Sequence, residues 1–407
     1  MTPTTLAFEQ FPTDALMHVT QRPPAVFVRG LGSWLWDSTG HRYLDFVQGW
    51  AVNALGHAPA VITDALVQQS GRLLHTGPGF HNDQAIGLAA ELTRLASLDR
   101  VFFTNSGAEA NEGAIKLARK WGQLHRRGAS TILSFGNSFH GRTLATMAAS
   151  GKPGFDRLFP PVLPGFVKLP YNDLDAVEAA IDGHTVAVML ELVQGEAGVI
   201  EADAGFVAGL RRLCDRHGLL LIVDEVQTGV GRCGPLFLHQ GLGLRPDIVT
   251  LGKGLGGGVP IGALLASEAV CCFAPGDQGG TYNGNSLVCA VARAVLQQVA
   301  RPSFLAAVCA RGEQLAQGLA ELSKRHGLGA VRGQGLLRAL DVPDDGAATI
   351  VDALRRRADD KRPGLLVNAA RPGTLRFMPA LNVGSGEVEL ALAMLDEVLA
   401  ELTLSVG

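Results

Sequence analysis

The chain is predicted to be an α/β protein whose mostly parallel central sheet carries helices on both faces, with a smaller α/β domain appended. Apolar, strand-like runs alternate with helical patterns through the first 285 residues or so, the mark of crossover connections between parallel strands. Most of these runs are too continuously apolar for a sheet with one wet face. Their carboxyl ends carry the glycine-rich and polar segments, where open α/β sheets place their ligands.

Taken in order, the expected central strands are Val101 to Thr104, Thr131 to Phe135, Val186 to Leu192, Leu219 to Val223, Ile248 to Leu251 and Ile261 to Ala266. After about residue 285 the pattern changes to long amphipathic helices, Leu287 to Val299 and Leu305 to His326, with short strands near Leu336, Leu365 and Leu375. Residues 46–285 are therefore expected to form a large domain and 286–407 a small one, which the N-terminal segment 1–45 joins. A chain of 407 residues that is 47% hydrophobic can bury such cores.

The first chemistry lies on two adjacent strands. Asp224 ends the strand Leu219 to Val223, and Lys253 follows Ile248 to Leu251 within GKGLGGG. A lysine that condenses with an aldehyde and an aspartate that holds a protonated pyridine nitrogen are what pyridoxal 5'-phosphate (PLP) chemistry requires. Gly252, Gly254, Gly256, Gly257 and Gly258 leave the backbone bare for close approach of a cofactor. GKGLGG also satisfies the dinucleotide pattern G-x-G-x-x-G, but Pro260 and Ile261 follow where that fingerprint needs a helix. A P-loop fits less well, since no Ser or Thr follows Lys253. An ordinary surface lysine on a glycine loop is the remaining local reading.

In VFFTNSGAEANEGAIKLARKW, Ser106 and Glu109 form an S-x-x-E capping box for a helix with apolar positions at Ala110, Ala114, Leu117, Ala118 and Trp121. The free N–H groups of such a helix start can hold a phosphate, although a simple cap needs no ligand. Gly279 to Gly284 can add the Thr281 hydroxyl, or be merely a turn. The loop after Phe135 offers Phe139 to stack on a planar ring and Arg142 to fork a carboxylate, with His140 as a base or a packed ring.

Composition narrows the class. A net charge of −3 points to no nucleic-acid or anionic-membrane partner. Six cysteines without C-x-x-C spacing read as reduced thiols of a cytoplasmic protein. The eleven histidines show no metal-ligand spacing. The N-terminus lacks a signal-peptide pattern, and no apolar run approaches the roughly 20 residues of a membrane span.

The strings FTNSGAEANEGAIKLARK, SFHGRTLATMAASGKPGF, ELVQGEAGV, LLLIVDEVQTGVGR, PDIVTLGKGLGGGVPIGALL and TYNGNSLVCAV resemble those of the class III aminotransferases, most closely the acetylornithine and ornithine enzymes. The likeness runs from about Arg29 to the C-terminus with the motifs in family order. It implies a fold-type I PLP-dependent transferase working as a homodimer with active sites at the subunit interface. On that likeness Lys253 bonds the cofactor and shuttles the proton, and Asp224 partners the ring nitrogen. Gln227 would meet the phenolic oxygen and Phe139 the ring, while Glu225 and Val226 would adjoin the cofactor. Ser106, Gly107 and Ala108 would bind phosphate, helped by Thr281 of the other subunit. Arg142 and Arg376 match the family's carboxylate-binding arginines, Glu196 the glutamate that screens Arg376, and Trp50 and Gly280 positions near the donor pocket.

The implied reaction moves the terminal amino group of N-acetyl-L-ornithine to 2-oxoglutarate, as in arginine biosynthesis. Ornithine, 4-aminobutyrate and succinyl-diaminopimelate are the alternative donors. Trp50 stands where acetylornithine enzymes often have a smaller aliphatic residue and ornithine enzymes a tyrosine. Leu192, Cys233, Ser286 and Gln278-Gly279-Gly280 also depart from the family pattern, and none removes a catalytic group. A PLP aminomutase or racemase would not need Glu196 and Arg376. A non-catalytic PLP-binding protein would not need Lys253 and Asp224.

Overall fold

The computed structural model describes residues 6–343 and 345–404; residues 1–5, Asp344 and residues 405–407 lie outside the described part. A seven-stranded sheet forms the centre, in the spatial order Arg100–Thr104, Gly262–Ala266, Ile248–Leu251, Leu220–Asp224, Thr185–Leu190, Thr131–Phe135 and Phe166–Leu169. Only Gly262–Ala266 runs against its neighbours, so the expected α/β class holds. The edge strand Phe166–Leu169 was not foreseen. It is short and its middle residues are exposed, so it lacks the continuous apolar run that marks the central strands.

Alternation along each strand feeds two separate cores. Leu133, Val188, Leu190, Leu221, Val223, Val249 and Leu251 point to one side. Ile132, Met189, Leu220, Ile222 and Ile248 point to the other, against Ala114, Ile115, Leu117 and Ala118 of the helix Gly107–His125. Fully burying each Leu, Ile or Val contributes about 1.5–3 kcal/mol, which is why both faces of these strands are apolar.

Two further four-stranded sheets follow. Val331–Gln334, Leu337–Asp341, Thr374–Phe377 and Asn368–Arg371 form an antiparallel sheet. The N-terminal strands Phe27–Leu31, Trp34–Asp37 and Arg42–Asp45 are completed by Gly364–Leu366 from the C-terminal part, in parallel with Arg42–Asp45. The helix Ser286–Val299 packs against Ala60–Ser70 and Asp83–Ala96, whereas Pro302–His326 packs on Ser385–Leu404.

Register places the chemistry. Asp224 pairs with Thr250 and Val223 with Leu190, so Glu191, Asp224 and Thr250 sit side by side at the carboxyl edge, with Lys253 one step beyond.

Candidate active site

Asp224 is 4% exposed and its carboxylate is fully engaged. Its Oδ2 accepts from Asn111 Nδ2 and from His140 Nδ1, both at 2.8 Å. Its Oδ1 accepts from the Val226 N–H at 3.0 Å. Asn111 in turn donates to the His140 carbonyl at 2.7 Å and accepts from Thr250 Oγ1 at 2.7 Å. Such a bracing network fixes the rotamer of a buried carboxylate and directs it. Sequence reasoning missed Asn111 and Thr250 and left the role of His140 open. The available signal was a polar residue on the otherwise apolar face of the helix Gly107–His125.

Lys253 opens a single 3-10 turn, Lys253–Leu255, with φ of +42°, a conformation that costs a non-glycine residue about 1–3 kcal/mol and clusters at functional sites. Among the described residues its amine has neither a hydrogen bond nor an ion pair. Burial pulls its pKa down to about 8; the Arg376 charge adds to this, and the carboxylates of Glu196, Asp224 and Glu191 oppose it. The turn leads into the strand Gly262–Ala266 rather than a helix, so the dinucleotide reading of GKGLGG fails. Gly252 serves backbone packing: a Cβ there would lie 3.1 Å from Gly107 Cα. That close approach brings the lysine turn beside the start of the helix Gly107–His125.

At this helix start Ser106 caps as expected, its Oγ accepting from the Glu109 N–H at 3.2 Å. The reciprocal half of the box shifts by one residue, because Glu109 Oε2 accepts from the Asn105 N–H at 2.6 Å. Gly107 and Ala108 line a cavity of about 240 Å³ that also contains Asn111, Phe139, His140, Arg142, Glu191, Glu196, Asp224, Val226, Gln227 and Lys253. Ser106 is exposed at its edge. Gln227 Oε1 and His140 Nε2 are buried without a partner, an arrangement a ligand can relieve.

Glu225 departs from expectation. Alternation after Asp224 turns its side chain away from the cavity, where it accepts from the N–H groups of Leu238 and His239 and from His239 Nδ1, each at 2.7 Å. It holds the following loop and cannot touch a ligand beside Asp224.

The second carboxylate pair matches the expected partners. Glu196 Oε1 lies 2.9 Å from Arg376 Nη2. Arg376, 1% exposed, also donates to the Gly195 carbonyl at 2.8 Å and to Asn368 Oδ1 at 2.7 and 3.1 Å. Burial alone would raise the pKa of Glu196, but Arg376, Lys253 and Lys152 together hold it below the usual range. Glu191, overlooked in the sequence, accepts from the Phe139 N–H at 2.8 Å. Burial and the neighbouring Asp224 push its pKa well up, and its carboxyl group positions Phe139. Arg142 is exposed at the mouth, with its guanidinium 5.4 Å from the Phe155 ring centroid.

Besides Glu225, three more expected residues lie well away from this cavity's lining. Trp50 is 50% exposed in a left-handed turn, Thr281 is exposed, and Gly280 is half-buried. The described residues contain no group of His, Cys, Asp or Glu arranged to hold a metal ion. None of their helices is long and apolar enough to cross a membrane.

Comparison with known proteins fits this geometry. The family model described as aminotransferase class-III matches residues 16–399. The acetylornithine aminotransferase 2 of Bordetella bronchiseptica is 57% identical over 395 residues, 97% of this chain and 99% of that protein. The acetylornithine aminotransferase of Ralstonia nicotianae is 53% identical over 398 residues, with the same coverage. Among solved structures, the N-acetylornithine aminotransferase of Stenotrophomonas maltophilia superposes with a TM-score of 0.83 at 37% identity, covering 97% of this chain and 99% of that one. The ornithine aminotransferase of Toxoplasma gondii reaches a TM-score of 0.91 at 30% identity, over 97% of this chain and 94% of its own. With a family match over nearly its whole length, the chain belongs to the class III aminotransferases and is a transaminase.

Proposed function

We propose that this transaminase uses PLP to move the terminal amino group of N-acetyl-L-ornithine to 2-oxoglutarate, giving N-acetylglutamate 5-semialdehyde and L-glutamate. The observation that carries the reading is the unpaired, low-pKa Lys253 beside a braced Asp224 and across from the Glu196–Arg376 pair; the 57% identity to an acetylornithine aminotransferase supports the donor. The residues fit the cofactor. Asp224 presents a fixed carboxylate, Gln227 Oε1 lacks a partner, and the helix start at Gly107 and Ala108 is free to hold a phosphate. Bound PLP supplies an aldehyde that condenses with amines and a pyridinium ring that takes up the electron pair left when a neighbouring C–H bond breaks.

The remaining work falls to the chain. Asp224, held by Asn111, His140 and the Val226 N–H, keeps a proton on the ring nitrogen by charge pairing. Lys253 Nζ, whose pKa burial lowers to about 8, takes the proton from the substrate carbon bearing the amine. Phe139, positioned by Glu191, covers one side of the site. Arg142, without an ion-pair partner among the described residues, receives the donor's carboxylate at the mouth. Arg376 stays covered by Glu196 while the uncharged tail of the donor is bound, and is uncovered for the second carboxylate of 2-oxoglutarate. We further propose that the enzyme is a homodimer in which Trp50, Gly280 and Thr281 reach the partner's cavity, since all three lie outside their own.

Single-turnover measurements on the holoenzyme test the donor, following the cofactor absorbance as N-acetylornithine, ornithine, 4-aminobutyrate and succinyl-diaminopimelate are added separately. Fast conversion by N-acetylornithine is expected. A strong preference for free ornithine would overturn the donor assignment and leave the chemistry.

A further inference from the structure

Glu196 is shared between two cations. Its Oε1 meets Arg376 at 2.9 Å, and its Oε2 lies 3.8 Å from Lys152 Nζ. Lys152 follows the helix Leu144–Ala149, and its ammonium lies over two aromatic rings, 5.5 Å from the Phe139 centroid and 5.7 Å from that of Phe155. Those faces hold a cation by electrostatic attraction to the rings. Glu196 is the only ion-pair partner of Lys152 among the described residues. Arg376, in contrast, is clamped by Gly195 and Asn368 and is 1% exposed. When the pair opens, the arginine therefore stays and Glu196 moves.

We propose that Lys152 is a positioning and specificity-determining residue, the anchor that receives Glu196 when Arg376 takes the second carboxylate of a keto acid. The proposal rests on the gate reading of Glu196 and Arg376 given above. A carboxylate displaced from a buried arginine is costly unless another charge meets it. Lys152 stands within reach on the opposite oxygen, over the Phe139 ring. With it, opening the gate exchanges one cation for another; without it, the displaced Glu196 competes with the incoming dicarboxylate for Arg376. Aldehyde acceptors, which carry no carboxylate on the carbonyl carbon, do not open the gate and do not feel Lys152.

The test measures the amino-group-accepting half-reaction of holoenzyme with 2-oxoglutarate and with N-acetylglutamate 5-semialdehyde, which has no carboxylate on its carbonyl carbon, for wild type, Lys152→Met, Lys152→Arg and Glu196→Gln. In Lys152→Met the apparent Kd for 2-oxoglutarate should rise about threefold to tenfold relative to that for the semialdehyde, the scale of a partly exposed ion pair. Lys152→Arg, which keeps the charge, should restore most of that ratio. Equal changes for both acceptors, or no change in Lys152→Met while Glu196→Gln alters the ratio, would overturn the role of Lys152 and leave the gate. A wild-type ratio in Glu196→Gln would instead remove the gate reading, and the proposal with it.

Discussion

Replacing Lys253 by methionine should abolish transamination and yet make the apoprotein more stable at neutral pH. The side chain keeps its length and apolar stem, so packing changes little. The charge is what matters: its pKa falls from 10.5 to about 8, chiefly through burial. Between these values the unfolded chain holds a proton that the folded chain has released, so wild-type stability rises with pH across that window. Below pH 8 both states are protonated, and the folded state bears the full penalty, about 2–3 kcal/mol after allowance for the partial exposure of the residue. Lys253→Met removes this penalty. Its advantage should be largest below pH 8, decline from there, and vanish above pH 10.5. Urea denaturation of the two apoproteins at pH 6.5, 8, 9.5 and 10.5 measures the difference, and titrations common to both cancel. A variant less stable than wild type at pH 6.5, or more stable by the same amount at every pH, would refute the reasoning.

Asn111→Leu should keep the volume but strip Asp224 Oδ2 and the His140 carbonyl of a donor, weakening PLP binding about tenfold to a hundredfold at the usual cost of orphaned buried groups; equilibrium dialysis of the apoprotein with PLP reads this directly. Gly252→Ala would press a Cβ to 3.1 Å from Gly107 Cα and 3.2 Å from Val226 Cγ1, and a loss of about 1–3 kcal/mol in urea denaturation is expected for such overpacking. For the shared site, Lys253→Ala and Thr281→Asp are each expected to be inactive alone. Refolded together at equal amounts they should recover about a quarter of the wild-type activity per site, since half of the random dimers hold one intact site; no recovery would place Thr281 at its own chain's site.

Legibility of the sequence followed the range of each signal. Central strands were readable because both their faces are buried, which forces runs such as residues 220–223 to be apolar throughout. Phe166–Leu169 escaped because an edge strand buries little and shows no such run. Lys253, Asp224, Arg376 and Glu196 stand in short motifs with local chemistry, and the fold brings their strands together. Asn111, Thr250 and Glu191 act only across elements. Asn111 is 113 positions from Asp224, and nothing near either residue announces the other. Glu225 was misplaced for a related reason: adjacency in sequence suggested adjacency in the site, whereas alternation sends consecutive side chains to opposite sides.

The residues that escaped notice explain why the recognised ones work. Three carboxylates, Glu191, Glu196 and Asp224, line one small cavity, and three negative charges there would repel one another and hold Lys253 protonated. The structure avoids this by giving each a different environment. Glu191 receives a single backbone N–H, and burial and the neighbouring Asp224 push its pKa well up. Glu196 faces Arg376 and Lys152 and keeps its charge. Asp224 receives donors on both oxygens. Glu191 thus positions Phe139 while its ionisation is disfavoured, and Glu196 pairs its charge with Arg376. On the proposed gate, opening of the Glu196–Arg376 pair would couple substrate choice to the base: it would expose Arg376 and shift a carboxylate that otherwise favours the protonated lysine. Specificity and proton transfer would then share one electrostatic balance, which a description limited to the lysine and its aspartate would leave out.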